Sequence, residues 1–286
     1  METVRNKKKT VFLVVWIALI IGLLAAIFII GIPAEHDETI KEAMKDGVLH
    51  ETNKISLFGL LDVNPALISA YVVTAVLLLA ALLIRFLALP RFKDVPGRFQ
   101  SVIEKLVEFF GGMAKDHSPH KTPFVAAYIF SAGVYIFFST LFELFGIQAL
   151  TTQGHSIALP APLADINAAI AMGVTSYLVI LGAGLIVNGL KGGLSVLKDF
   201  SLPISMSFRL FGALISGMLV TELVYYYAAL SFVLPVVVGV LFTLLHAVIQ
   251  TYVLATLVSV FYGEAVEPRV RKAKKNRKAE KSAPEN

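Results

Sequence analysis

Six stretches of this sequence, 11–32, 66–89, 124–147, 165–190, 204–229 and 235–262, are apolar over the length of about 20 residues that a helix needs to cross a bilayer. Nothing else constrains the fold as tightly. In hydrocarbon every backbone N–H and C=O needs an internal partner, and an α-helix satisfies all of them within one segment. The expected fold class is therefore all-α, a polytopic membrane protein of about six membrane helices plus interfacial amphipathic helices. The last two form a long hairpin, each helix longer than a perpendicular span requires and so expected to tilt. A chain with 57% hydrophobic and only 16% charged residues could not hide its apolar surface from water. The lipid bilayer is thus its first partner.

Charge gives the orientation. Lys and Arg in successive polar stretches number four, three, six, none, two, none and eight, high and low in turn. Positive residues collect on the cytoplasmic side, so both termini are placed there. The net charge of +5 is not spread evenly, because the eight cations from Arg269 to Lys281 follow the last apolar run. Residues 1–268 read as one integral membrane domain and 269–286 as a basic cytoplasmic tail near anionic headgroups, with nucleic acid set aside as a partner. Segment 11–32 reads as a retained anchor, since its apolar region exceeds the ~7–15 residues of a signal peptide. Segment 91–122 is a cytoplasmic interfacial stretch in which Phe99, Val102, Ile103, Leu106, Val107 and Phe110 recur at helical spacing. Lys191 and the Gly192-Gly193 pair mark a return to an aqueous boundary. The chain has no cysteine, which excludes disulfides and thiolate metal sites.

Arg209 is the anomaly within these apolar runs. Burying a cation at mid-bilayer costs about 3 kcal/mol or more, so such a residue pairs with an anion or lines a water-filled path. Burial does not neutralise it, because the guanidinium stays charged up to a pH of about 12. An antiparallel hairpin brings Gln250 to a comparable distance from the turn, where it either faces Arg209 or forms an interhelical hydrogen bond that only aids packing. Gly212, Ala213, Ser216 and Gly217 thin one side of the arginine helix. That permits either a packed helix dimer or the approach of an outside helix that carries a carboxylate to Arg209.

Four motifs carry a family resemblance. Ser201, Pro203, Ile204 and Ser205 precede Arg209, Leu210, Phe211 and Gly212; Ile249, Gln250, Thr251, Tyr252 and Val253 sit in the last helix. Pro162, Ala164, Asp165, Ile166 and Asn167 open the fourth segment, and VPGRFQSVIEKLVEFF forms the interfacial stretch. In that order over residues 90–263, the chain resembles the a subunit of rotary F-type ATP synthases. The resemblance implies an ion-translocating stator, with the proton as the expected ion, that forms two half-channels against a ring of c subunits. Its other implied partners are the b-subunit peripheral stalk and the remaining F0F1 subunits, in a bacterial cytoplasmic (inner) membrane. It implies no cofactor, no metal and no covalent chemistry in this chain, which would serve a complex that makes ATP from ADP and phosphate. The competing class is an ion-coupled secondary transporter with a buried charge network, but no two halves of this chain repeat.

The sequence departs from the family pattern where Ala213 replaces its usual asparagine and Met218 its usual glutamate, and the connector before the arginine helix is short. Met218 and Thr243 cannot exchange a proton. Glu222, four positions beyond Met218, and His246, three beyond Thr243, are the titratable residues nearest those places. An outer path is therefore expected past Glu222 and His246, with Asp165 and Asn167 at its entrance. Helix capping by Asp165 and simple packing of His246 are the alternative readings.

Overall fold

The computed structural model describes residues 54–57, 61–119, 122–152, 156–226 and 234–267, together with Val14, Val15, Ile17, Ala18, Ile21 and Gly22, which are helical. The expected first span, 11–32, and the tail, 269–286, lie outside the described residues except for those six positions. Six α-helices follow in order: α1 (Pro65–Leu83), α2 (Arg98–His117), α3 (Thr122–Leu141), α4 (Ile166–Leu197), α5 (Ser201–Tyr226) and α6 (Leu234–Val266). Among the described residues five segments are long and apolar enough to cross a membrane: Pro65–Arg91, Thr122–Phe145, Ile166–Leu197, Ser201–Val220 and Val236–Val266. The molecule is thus an all-α polytopic membrane protein. Residues 227–233, which hold the expected hairpin turn, lie outside the described residues.

Packing divides the chain into two compact units. One takes in Met1–Leu49 and Met218–Gly239; its described portions are helical. The other takes in His50–Gly217 and Val240–Asn286 and holds a large apolar core. That core draws Phe110 and Ala114 from α2, and Val125, Ile129, Ala132 and Ile136 from α3. Tyr177, Ile180 and Ala183 enter it from α4, while Leu254, Val258 and Tyr262 do so from α6. Each set recurs every three or four residues, so each helix turns one stripe inward. In α5 the stripe is Leu202, Met206, Leu210 and Leu214.

Several helix ends depart from the boundaries expected from hydropathy, for identifiable reasons. α1 loosens into a π-helical turn, Ile84–Ala88, closed by the Leu89 N–H on the Ile84 carbonyl, and then a 3₁₀ turn, Leu89–Arg91, closed by the Phe92 N–H on the Leu89 carbonyl. Pro90 has no N–H to continue an α-helical ladder there. α4 breaks at Gly189, whose φ of 62° favours glycine, and then resumes to Leu197. Lys191 is exposed, whereas Gly192 and Gly193 are helical and buried against the turn that precedes the break. Asn188 anchors this corner by donating to the Ala265 carbonyl (2.8 Å) and the Glu267 carbonyl (3.1 Å) at the end of α6.

Two short antiparallel ladders complete the second unit. β1 (Ile55–Leu57) pairs with β2 (Leu61–Val63), and β3 (Gln148–Leu150) with β4 (Ser156–Ala158). The Thr152 N–H bonds to the Lys54 carbonyl at 3.0 Å and ties the two hairpins together. Three-residue strands leave too short an alternation to read from sequence.

Candidate functional site

The buried stripe of α5 decides where Arg209 points. With Leu202, Met206, Leu210 and Leu214 turned into the core, Arg209 is exposed on another face with Ser205, Phe208 and Ser216. No carboxylate among the described residues pairs with it. One turn on, a Cβ added at Gly212 would meet nothing within 4 Å, and the Ser216 hydroxyl is turned back onto the Gly212 carbonyl at 2.5 Å. Ala213 is half-buried beside them. The result is a permanently charged guanidinium beside a thinned surface, within a segment long and apolar enough to cross a membrane.

α5 reaches this position by close contact with α4. Gly173 of α4 lies against the Pro203 carbonyl and Ser207 of α5, so closely that a Cβ would stand 2.8 Å from that oxygen and 3.1 Å from the Ser207 nitrogen. Ser207 donates to the Pro203 carbonyl at 2.6 Å. One turn along α4, the hydroxyls of Tyr128 and Ser176 meet at 2.8 Å and join α3 to α4. The Tyr128–Ser176 pair is a polar link of the kind that holds helices together in lipid, whereas Ser207 back-bonds within α5.

The last helix supplies the other expected residues. Gln250 is buried at 6% exposure, and Thr251 beside it donates to the Gly133 carbonyl of α3 at 3.2 Å. His246, half-buried, meets the Phe242 ring with centroids 5.8 Å apart. Its Nδ1 would stand 3.5 Å from a Cβ placed at Gly217, so the absent side chain on α5 leaves the space that the imidazole faces. Gly217 is eight residues beyond Arg209, or about 12 Å along the helix axis. Glu222 is a helical residue of α5, and its side chain lies outside the described residues.

Asp165 and Asn167 sit at the start of α4. Asp165 is the N-cap, with Oδ1 accepting from the Asn167 N–H at 2.6 Å. Its Oδ2 accepts from Asn64 Nδ2, also at 2.6 Å. Asn64 in turn caps α1 through the Ala66 N–H at 3.0 Å. Both carboxylate oxygens are thus engaged, and one pair of side chains fastens two helix starts, while Asn167 stays exposed. Sequence reasoning missed Asn64, although Asn followed by Pro at a helix start is a capping signal.

Asp165→Ala is expected to lower the heat stability of the folded chain, because a lost N-cap costs about 0.5–2 kcal/mol and Asn64 also loses its partner. The readout is the midpoint of heat-induced unfolding in detergent. An unchanged midpoint would mean that the cap adds nothing to stability.

The structure therefore brings Gly217 to His246 and Asp165 to Asn64, and leaves Arg209 facing outward. Comparison with known proteins covers the same region. Residues 68–263 match the family model described as ATP synthase A chain. Two relatives, each named ATP synthase subunit a and from Cereibacter sphaeroides strains ATCC 17025 / ATH 2.4.3 and ATCC 17029 / ATH 2.4.9, are 27% identical over 211 residues, covering 70% of this chain and 80% of theirs. Because the match takes in the arginine helix and both glutamine and histidine positions of α6, the chain belongs to the ATP synthase A chain family, a membrane subunit of the F0 sector.

Proposed function

We propose that this chain is the proton-translocating stator of its ATP synthase, working against a ring of c subunits that each carry one membrane-buried carboxyl. Protonated, that carboxyl crosses lipid as a neutral group; ionised, it would carry a desolvation penalty of several kcal/mol. It therefore loses its proton in one aqueous half-channel, passes Arg209 as a carboxylate, and is reloaded from the other. Arg209 favours the ionised form while it is close, since a nearby cation lowers a carboxyl's proton affinity. It cannot carry the proton itself, so the two half-channels stay insulated. The membrane potential contributes about 2.3 kcal/mol per charge per 100 mV.

The observation that carries this reading is the exposure of Arg209 in the middle of an apolar span, beside the open surface at Gly212 and Ser216. Glu222 and His246 form the relay on the outer side, Gln250 tunes the site from α6, and Asn167 with Asp165 flanks the entrance. The peripheral stalk b subunit and the remaining F0F1 subunits are the other partners. Both termini face the cytoplasm of a bacterial cell, the tail 269–286 included, and 1–268 act as one integral domain. The ATP chemistry takes place elsewhere in the complex.

Disulfide trapping tests the ring-facing surface directly, because the chain contains no native cysteine. Gly212→Cys and Ser216→Cys are expected to form adducts with a cysteine placed next to the ring carboxyl, whereas Leu214→Cys, buried in the core, is expected not to. Adducts from position 214 and none from 212 or 216 would assign the ring to a different face of α5.

A further inference from the structure

The elbow between α1 and α2 carries a cluster of cations that the ion-path reading does not use. Arg85, Arg91, Lys93 and Arg98 are all exposed, and Asp94 is the one carboxylate in the run from 85 to 98. Among the described residues none of the four makes an ion pair. The elbow is held in shape by Gln100, which is 9% exposed. Its Oε1 accepts from the Lys93 N–H at 3.0 Å, and its Nε2 donates to the Lys93 carbonyl at 2.8 Å and to Glu104 at 2.7 Å. This clamp fixes the turn that bears Arg91 and Lys93 onto the first turns of α2, two residues from Arg98. Apolar side chains are interleaved with the cations: Phe86, Phe99 and Val95, the last 84% exposed. Behind them runs the shaft of α1, the most apolar of the spans and only 11% buried over its apolar window.

We infer that this elbow is a binding site for the headgroup of an anionic phospholipid, whose acyl chains lie along α1. A phosphate needs several cations on a fixed frame; a guanidinium also offers it a planar pair of donors. The acyl chains need an apolar helix that the described residues leave largely uncovered and whose C-terminal end leads to those cations, and α1 provides one. An acidic protein segment would match the charge but not the bare shaft below it. The site depends on membrane insertion alone and not on the ion path.

Photocrosslinking in the intact complex tests this. Val95→p-benzoylphenylalanine complex is reconstituted in vesicles of phosphatidylcholine mixed with phosphatidylglycerol, irradiated, and the adducts on this chain are weighed by mass spectrometry. With phosphatidylglycerol at about one part in twenty of the vesicle lipid, it is expected among the adducts roughly tenfold above its share, since two cations near a headgroup, at about fivefold each, strengthen its binding about 25-fold. Adding R85Q, R91Q, K93Q and R98Q is expected to return the adducts to that share with the total yield unchanged. Adducts at the mixing ratio without these substitutions would overturn the inference, as would adducts to a peptide of another subunit.

Discussion

Arg209→Ala is expected to abolish ATP-driven proton pumping in inverted membrane vesicles and to raise the passive proton leak through the membrane sector. On the proposed mechanism, a ring carboxylate that reaches this depth without the guanidinium has no counter-charge. Removing one partner of such a buried pair costs about 3–5 kcal/mol. At 1.4 kcal/mol per factor of ten, that slows passage by at least about a hundredfold. On the proposed mechanism the leak rises because the barrier between the half-channels is the charge that cannot itself exchange a proton. Arg209→Lys is expected to retain only a small part of the activity, since a lysine at membrane depth loses its proton far more readily. In the same assay Gln250→Leu should be milder, because it removes a polar group and no charge. His246→Ala and Glu222→Gln should shift the pH profile more than the maximum rate. Pumping by Arg209→Ala near the unsubstituted rate would show that insulation does not depend on this residue.

Gly173→Leu is expected to remove most of the assembled complex from the membrane while leaving the arginine itself intact. The closest neighbours of a Cβ at 173 are the Pro203 carbonyl, the Ser207 nitrogen and the Ser207 hydroxyl, mostly backbone atoms that cannot rotate away. Overpacking a tight contact costs about 1–3 kcal/mol even where side chains can adjust. Here the helices must separate, which also displaces the start of α5 and the level at which it presents Arg209. Gly182→Leu on the same helix is the control, because a Cβ there meets nothing within 4 Å. Both variants can be compared by the amount of chain that is retained with ATPase activity in detergent extracts. Equal retention would mean that α4 and α5 do not depend on the Gly173 contact.

The sequence by itself determined the all-α membrane fold class. Transfer from water to hydrocarbon depends mainly on how many apolar residues occur in a row, so the sequence already held the signal for the five described segments that are long and apolar enough to span. Arg209 stood out for the same reason, as a permanent charge within such a run, and four motifs in order, those around Arg209 and Gln250 among them, pointed to the family. What the sequence did not contain was the rotation of each helix. α5 has large apolar side chains all round, with Ile204 and Phe208 exposed and Leu202, Met206, Leu210 and Leu214 buried. Lipid tails are as apolar as leucine, so hydrophobicity does not distinguish the inward face of a spanning helix from the outward one. That choice came from close packing at Gly173, from the partnership of Gly217 with His246, and from the hydrogen bond between Asn64 and Asp165, 101 residues apart in the chain. Only the tertiary structure could turn Arg209 outward, because the steric fit between helices, and not the energy of entering the membrane, sets which face meets a neighbour.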